Sequence, residues 1–185
     1  RAVEDPGPFA PTVAAVCFGT LSMVLEPGAT TYEAVLRRSH RAGRLVVLDP
    51  NVRPAAIDDH DAYRRRFASW LPDVDVVKLS DEDAESLSAG RYGTGSSDWL
   101  AAGVSAVVMT AGSAGITVMT GAGETTASAP EIDVVDTIGA GDSVLGGILH
   151  RLDQLGALSS AAVAAFTPDD WRAVAEHAAQ VAAIT

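Results

Sequence analysis

Cysteine is nearly absent from this 185-residue chain: the one thiol, Cys17, can form no internal disulfide, which fits a reducing compartment and excludes a disulfide-stapled fold. Bases are scarce too. Lys and Arg number 13 against 24 Asp and Glu, for a formal net charge of -11, so no basic stripe offers itself to nucleic acid or an anionic membrane. Arg64-Arg65-Arg66 is the one run of bases, and between Tyr63 and Phe67 it reads as the solvated face of a helix. No apolar stretch approaches the about 18 residues of a membrane span, and no basic-then-apolar leader marks the start, which predicts a cytoplasmic protein. Two phosphate-binding signatures are also missing. There is no G-x-x-x-x-G-K-[ST], and Val144 stands where Gly139 and Gly141 would need a third glycine to make G-x-G-x-x-G. A P-loop NTPase is thereby excluded, and a dinucleotide enzyme is disfavoured. What remains, 48% apolar and 20% charged, is ordinary for a globular protein and long enough for one domain with a sizeable core.

Pro6, Pro8 and Pro11 make the first residues an irregular lead-in. A strand is predicted over 13–18, where Cys17 reads as a buried small hydrophobe. A helix follows from Thr30 or Thr31 as N-cap to a stop at Gly43. Leu45-Val46-Val47-Leu48 is all apolar, as a strand buried on both faces is. A helix over about 60–71 carries Tyr63, Phe67, Trp70 and Leu71 on one side. The strand 74–79 then leads into Ser80, a capping-box start with Asp83 three residues on. A short helix is predicted over 98–102, two strands over 106–110 and 116–119 joined by a glycine turn, and an edge strand at 125–127. Ile132-Asp133-Val134-Val135 alternates as a strand does, while Val144, Leu145, Ile148, Leu149 and Leu152 recur at helical spacing. Thr167 with Pro168 opens a last helix. Strands alternating with helices predict a three-layer α/β/α sandwich around a mainly parallel sheet, with residues 1–185 belonging to a single domain.

In such a sheet, ligands sit beyond the carboxyl ends of the strands. Four polar groupings fall there: Asp49 with Asn51 and Arg53; Lys78 with Ser80 and Asp83; Thr110 with Gly112 and Gly115; and the stretch Asp136-Thr137-Ile138-Gly139-Ala140-Gly141-Asp142 between a strand and a helix. Small residues at a helix N-terminus bare their N–H groups toward an anion, and the helix dipole adds to the attraction. A carboxylate there, Asp142, makes sense if it takes a proton from a nucleophile attacking that anion.

The last stretch resembles the D-T-x-G-A-G-D signature of the ribokinase-like (PfkB) carbohydrate kinases. Asp49-Pro50-Asn51-Val52-Arg53 is similar to the D-P-N-x-R of bacterial fructokinases, and Val77-Lys78-Leu79-Ser80-Asp81-Glu82 to their V-K-x-S-x-E. Residues 18–27 are similar to the same group's stretch after the preceding strand. The resemblance covers nearly the whole chain but begins well into the family's domain, so the N-terminal strands, the lid and most sugar contacts are expected to be absent. It implies an ATP-dependent sugar kinase acting on a primary hydroxyl, fructose-type by preference, with 2-keto-3-deoxygluconate, ribose or a nucleoside as alternatives. Asp142 would be the base, with the N–H groups of Gly139, Ala140 and Gly141 as anion hole. Asn51, Arg53, Lys78, Ser80, Thr110, Gly112, Gly115 and Thr137 would meet ATP, and Arg53 the substrate as well. Mg²⁺ would bridge the phosphates, with Asp83 or Asp136 near a metal and room for a monovalent cation. The resemblance also allows a homodimer of the full-length protein. Two rivals stand: a non-catalytic nucleotide binder, and a serine hydrolase using Ser113 in Ala111-Gly112-Ser113-Ala114-Gly115.

Overall fold

A computed structural model describes residues 5–91, 93–130 and 139–184. Six strands form one sheet in the order β1 (Ala15–Gly19), β2 (Leu45–Asp49), β3 (Val76–Ser80), β4 (Ala106–Thr110), β5 (Ile116–Thr120) and β6 (Gly123–Ala127). The first four run parallel; β5 and β6 are antiparallel hairpin additions. The predicted strand at 132–135 lies outside the described residues.

Alternation along the strands explains why helices cover both faces. Val46, Leu48, Val77, Leu79 and Val107 point to one side and pack with α1 (Gly28–Arg41), α2 (His60–Trp70), α3 (Asp81–Ser88) and α4 (Ser96–Ala101) through Leu36, Phe67, Leu87 and Trp99. Leu45, Val47, Val76, Ala106 and Val108 point to the other and meet α5 (Ala140–Gln154), α6 (Ser160–Ala164) and α7 (Pro168–Ala182) through Ile148, Leu152, Val163 and Trp171. The result is the expected α/β/α sandwich. Every residue of β2 is buried, so a polar side chain within it must be matched by a partner from a neighbouring element.

Helix ends follow local chemistry. Ser80 accepts the Asp83 N–H while the Asp83 carboxylate accepts the Ser80 N–H, closing the capping box that starts α3. Thr167 and Asp170 do the same for α7, with Pro168 at its first position. The start of α1 differs from expectation. It begins at Gly28 because the Glu26 carboxylate accepts both the Thr30 N–H, at 3.1 Å, and the Thr30 hydroxyl, at 3.0 Å, so a preceding glutamate caps the helix and Thr30 lies inside it.

Two departures concern burial and close packing. Cys17 is exposed, not buried, because β1 pairs with β2 alone and lies at one edge of the described sheet. α5 and α7 approach so closely that a Cβ on Gly147 would lie 2.8 Å from the Ala178 Cα, which fixes the two helices against each other. Among the described residues no helix is long and apolar enough to cross a membrane.

Candidate active site

Parallel pairing brings the C-terminal ends of β1 to β4 to one rim: Gly19 lies opposite Asp49, and Ser80 opposite Thr110. Asp49 and Lys78 end up on the sheet face that α5 and α7 cover, because they continue the alternation of Leu45 and Val47 and of Val76. There the Lys78 Nζ donates to Asp49 Oδ2 at 2.8 Å, with the two residues 5% and 6% exposed. The other oxygen, Asp49 Oδ1, is buried without a hydrogen-bond partner among the described residues. Burial pushes the Asp49 carboxyl above the usual carboxylate range. The Lys78 ammonium opposes that shift, and the Asp83 and Asp142 carboxylates add to it.

The predicted anion hole meets this ion pair. Gly139 caps α5 in the left-handed region, at φ 83°, a conformation that costs a residue bearing a Cβ about 1–2 kcal/mol. Ala140, Gly141 and Asp142 form the first turn of α5, and Asp142 is exposed to solvent. A Cβ on Gly141 would sit 3.1 Å from Lys78 Nζ. The absence of a side chain at Gly141 thus leaves room for the lysine ammonium.

The other predicted residues are distributed more loosely. Asn51 turns the chain after β2 at φ 38°, and the exposed Arg53 folds its guanidinium back onto the Asn51 and Val52 carbonyls at 3.2 Å each. Ser80 caps α3, and Thr110 donates to the Leu79 carbonyl at 3.3 Å. Gly112 and Ser113 lie exposed in the turn between β4 and β5. That turn leads into a strand rather than the helix a nucleophile elbow requires, which disfavours the hydrolase reading. Gly115 is buried at φ 95°, where a Cβ would collide with the Ala127 carbonyl, so its size serves the β5–β6 packing. Asp136 and Thr137 lie outside the described residues.

Asp83 closes the expected capping box and makes one contact beyond it. Its Oδ1 accepts the Val52 N–H at 2.7 Å and its Oδ2 the Ser80 N–H at 3.2 Å, so the buried carboxylate ties the loop after β2 to the start of α3. No cluster of three or more His, Cys, Asp or Glu side chains suited to a metal occurs among the described residues. Sequence reasoning grouped Asp49 with its loop and gave it no role. The signal was there: a charge closing an otherwise apolar strand, level with a lysine closing the next.

Residues 7–185 match the model of the pfkB family of carbohydrate kinases. A fructokinase of Rhizobium leguminosarum bv. trifolii is 37% identical over 139 residues, which cover 75% of this chain and 42% of that protein. Fructokinase-2 of Zea mays is 31% identical over 135 residues, covering 71% of this chain and 40% of the relative. The chain thus spans about two-fifths of the length of these curated relatives. Among solved structures, the ATP-bound fructokinase of Xylella fastidiosa superposes with a TM-score of 0.82 at 24% identity, over 92% of this chain and 54% of that one. Aminoimidazole riboside kinase of Salmonella enterica gives a TM-score of 0.76 at 24% identity, over 92% and 55%. The capped glycine turn at the head of α5, the carboxylate that follows it and a family match running from residue 7 to the last residue lead to one assignment: the chain belongs to the pfkB family of carbohydrate kinases.

Proposed function

We propose that the protein is an ATP-dependent sugar kinase that transfers the γ-phosphate to a primary hydroxyl, with a fructose-type sugar as the acceptor. The observation that carries the reading is the head of α5, where a left-handed glycine, two small residues and an exposed carboxylate stand beside a buried ammonium at the strand-end rim. Fructose is favoured because the curated relatives named above are fructokinases.

In this reading the N–H groups of Gly139, Ala140 and Gly141 face the transferring phosphoryl group and hold the charge that develops on its oxygens. Fixed donors of that kind are worth about 3 kcal/mol of barrier each. Asp142 takes the proton of the sugar's primary hydroxyl as that oxygen forms its bond to phosphorus and the bond to ADP breaks. Its exposure leaves it open to the acceptor. Mg²⁺ bound with ATP neutralises charge across the phosphates. Lys78, Asn51, Arg53, Ser80, Thr110, Gly112 and Thr137 contribute to the nucleotide side of the site, and Asp136 to the turn or to a monovalent cation. The protein works in the cytoplasm, and a homodimer is compatible with this chemistry.

ADP release with MgATP, followed across fructose, ribose, 2-keto-3-deoxygluconate and aminoimidazole riboside, tests the assignment. Fructose-dependent release is expected. Release with none of the four, together with ester hydrolysis lost in Ser113→Ala, would reverse it in favour of the hydrolase.

A further inference from the structure

The buried pair beneath α5 does more than join two strands. Lys78 Nζ has one hydrogen-bond partner among the described residues, Asp49 Oδ2, and an ammonium carries three donors. Among the described residues two N–H bonds are therefore without an acceptor, at a point 3.1 Å from where a Gly141 Cβ would be, beside the first turn of α5. A lysine tip that swings freely would give way to a neighbouring methyl at little cost. This one is held at 2.8 Å and is 5% exposed, so giving way means breaking an ion pair in a region where neither charge can be rehydrated. Asp49 itself is only half engaged among the described residues, since its Oδ1 is buried without a hydrogen-bond partner there.

The surrounding charge makes the lysine necessary. Asp49, Asp83 and Asp142 are the acids that act on one another here, against one buried ammonium. An anion approaching the head of α5 meets repulsion from Asp142 in the same turn. Backbone N–H groups alone provide only partial charges against it.

We propose that Asp49 is a positioning residue for phosphate: it holds the Lys78 ammonium beneath Gly141, so the arriving phosphoryl group meets a positive charge already in place. Gly141 is glycine because that ammonium occupies the space of its side chain. The inference rests on the kinase reading of the same rim. It adds to it a role for Asp49, and gives Lys78 its place as a fixed charge under the anion hole.

Two measurements test it. The first is the affinity for MgATP, by calorimetry, of Asp49→Asn, Lys78→Ala and the two changes combined. Asp49→Asn should weaken binding about tenfold or more where Lys78 is present and by less than about threefold where the lysine is already gone. A merely structural Asp49 would give the same loss in both backgrounds, and that result overturns the proposal. Failure of the unsubstituted protein to bind MgATP would instead remove the kinase reading together with this one, so the two failures are told apart.

The second measurement needs no ligand. Gly141→Ala should lower the melting temperature of the unsubstituted protein. In the Asp49→Asn/Lys78→Ala background, which removes the ammonium without stranding a carboxylate, the same change should raise it, as alanine for glycine within a helix ordinarily does. The same sign in both backgrounds would show that Gly141 is not making room for Lys78, and would overturn the proposal.

Discussion

Two aspartates are buried in the same sheet at opposite ends of its strands, and they are used differently. Asp75, just ahead of β3, is held by groups of the fold itself: Oδ2 accepts the Val46 N–H at 2.7 Å and the Ser160 hydroxyl at 3.0 Å, while Oδ1 lies 3.6 Å from His40 Nδ1, beyond a hydrogen bond. Asp49, at the far end of β2, has one ammonium on Oδ2 and, among the described residues, no hydrogen bond on Oδ1. Burial raises the pKa of both. The difference lies in what each carboxylate holds and where. The Asp75 end is closed by a backbone N–H and a hydroxyl that join β2, β3 and α6, whereas Asp49 holds a charged side chain at the open rim where ligands of parallel sheets bind.

Substitutions at the two ends should separate these roles. Asp142→Asn, at the open end, should lower turnover by about 10²–10⁴-fold, the range for loss of a general base, with the melting temperature little changed because the side chain is exposed. Asp75→Ala, at the closed end, should cost about 1–3 kcal/mol in urea unfolding by leaving the buried Val46 N–H without its acceptor. Its folded molecules should bind MgATP as before, and a comparable loss of affinity would erase the contrast. Gly147→Val tests the layer that supports the open end. Forced against Ala178, it should destabilise by about 1–3 kcal/mol in the same urea measurement.

The smallest effect is a pH dependence between α5 and α7. His150 Nδ1 and His177 Nε2 lie 2.9 Å apart, and burial, then the His150 and Arg151 charges, hold His177 below its usual pKa of 6.5. A histidine depressed in the folded state binds fewer protons there than when unfolded. Its stabilising share is therefore present above about pH 6.5 and lost as pH falls through the folded pKa. His177→Gln should flatten that slope in unfolding curves taken from pH 7 to pH 5.

Much of this contrast was legible in residue order, and what was not has physical causes. The caps at Ser80 and Thr167 and the buried run of β2 are local signals, set by side chains within a turn of one another. The start of α1 is not legible locally, because the long Glu26 side chain reaches forward to do what the sequence assigns to a threonine. The five-residue α6 carries too short an apolar pattern to stand out, since its burial comes from contacts made elsewhere in the chain. Cys17 reads as buried because apolar neighbours surround it in sequence, but exposure depends on whether another strand lies beside β1. The pairing of Asp49 with Lys78, 29 residues apart, became visible only when the register of β2 and β3 set them level.

Phosphate transfer at the open end with Asp142 as base, as proposed above, is tested most directly by measuring MgATP affinity and fructose-dependent ADP release on one preparation of Asp142→Asn. The prediction is affinity kept or tightened, because one negative charge has left the anion site, with release nearly abolished. Release continuing at the unsubstituted rate would contradict it.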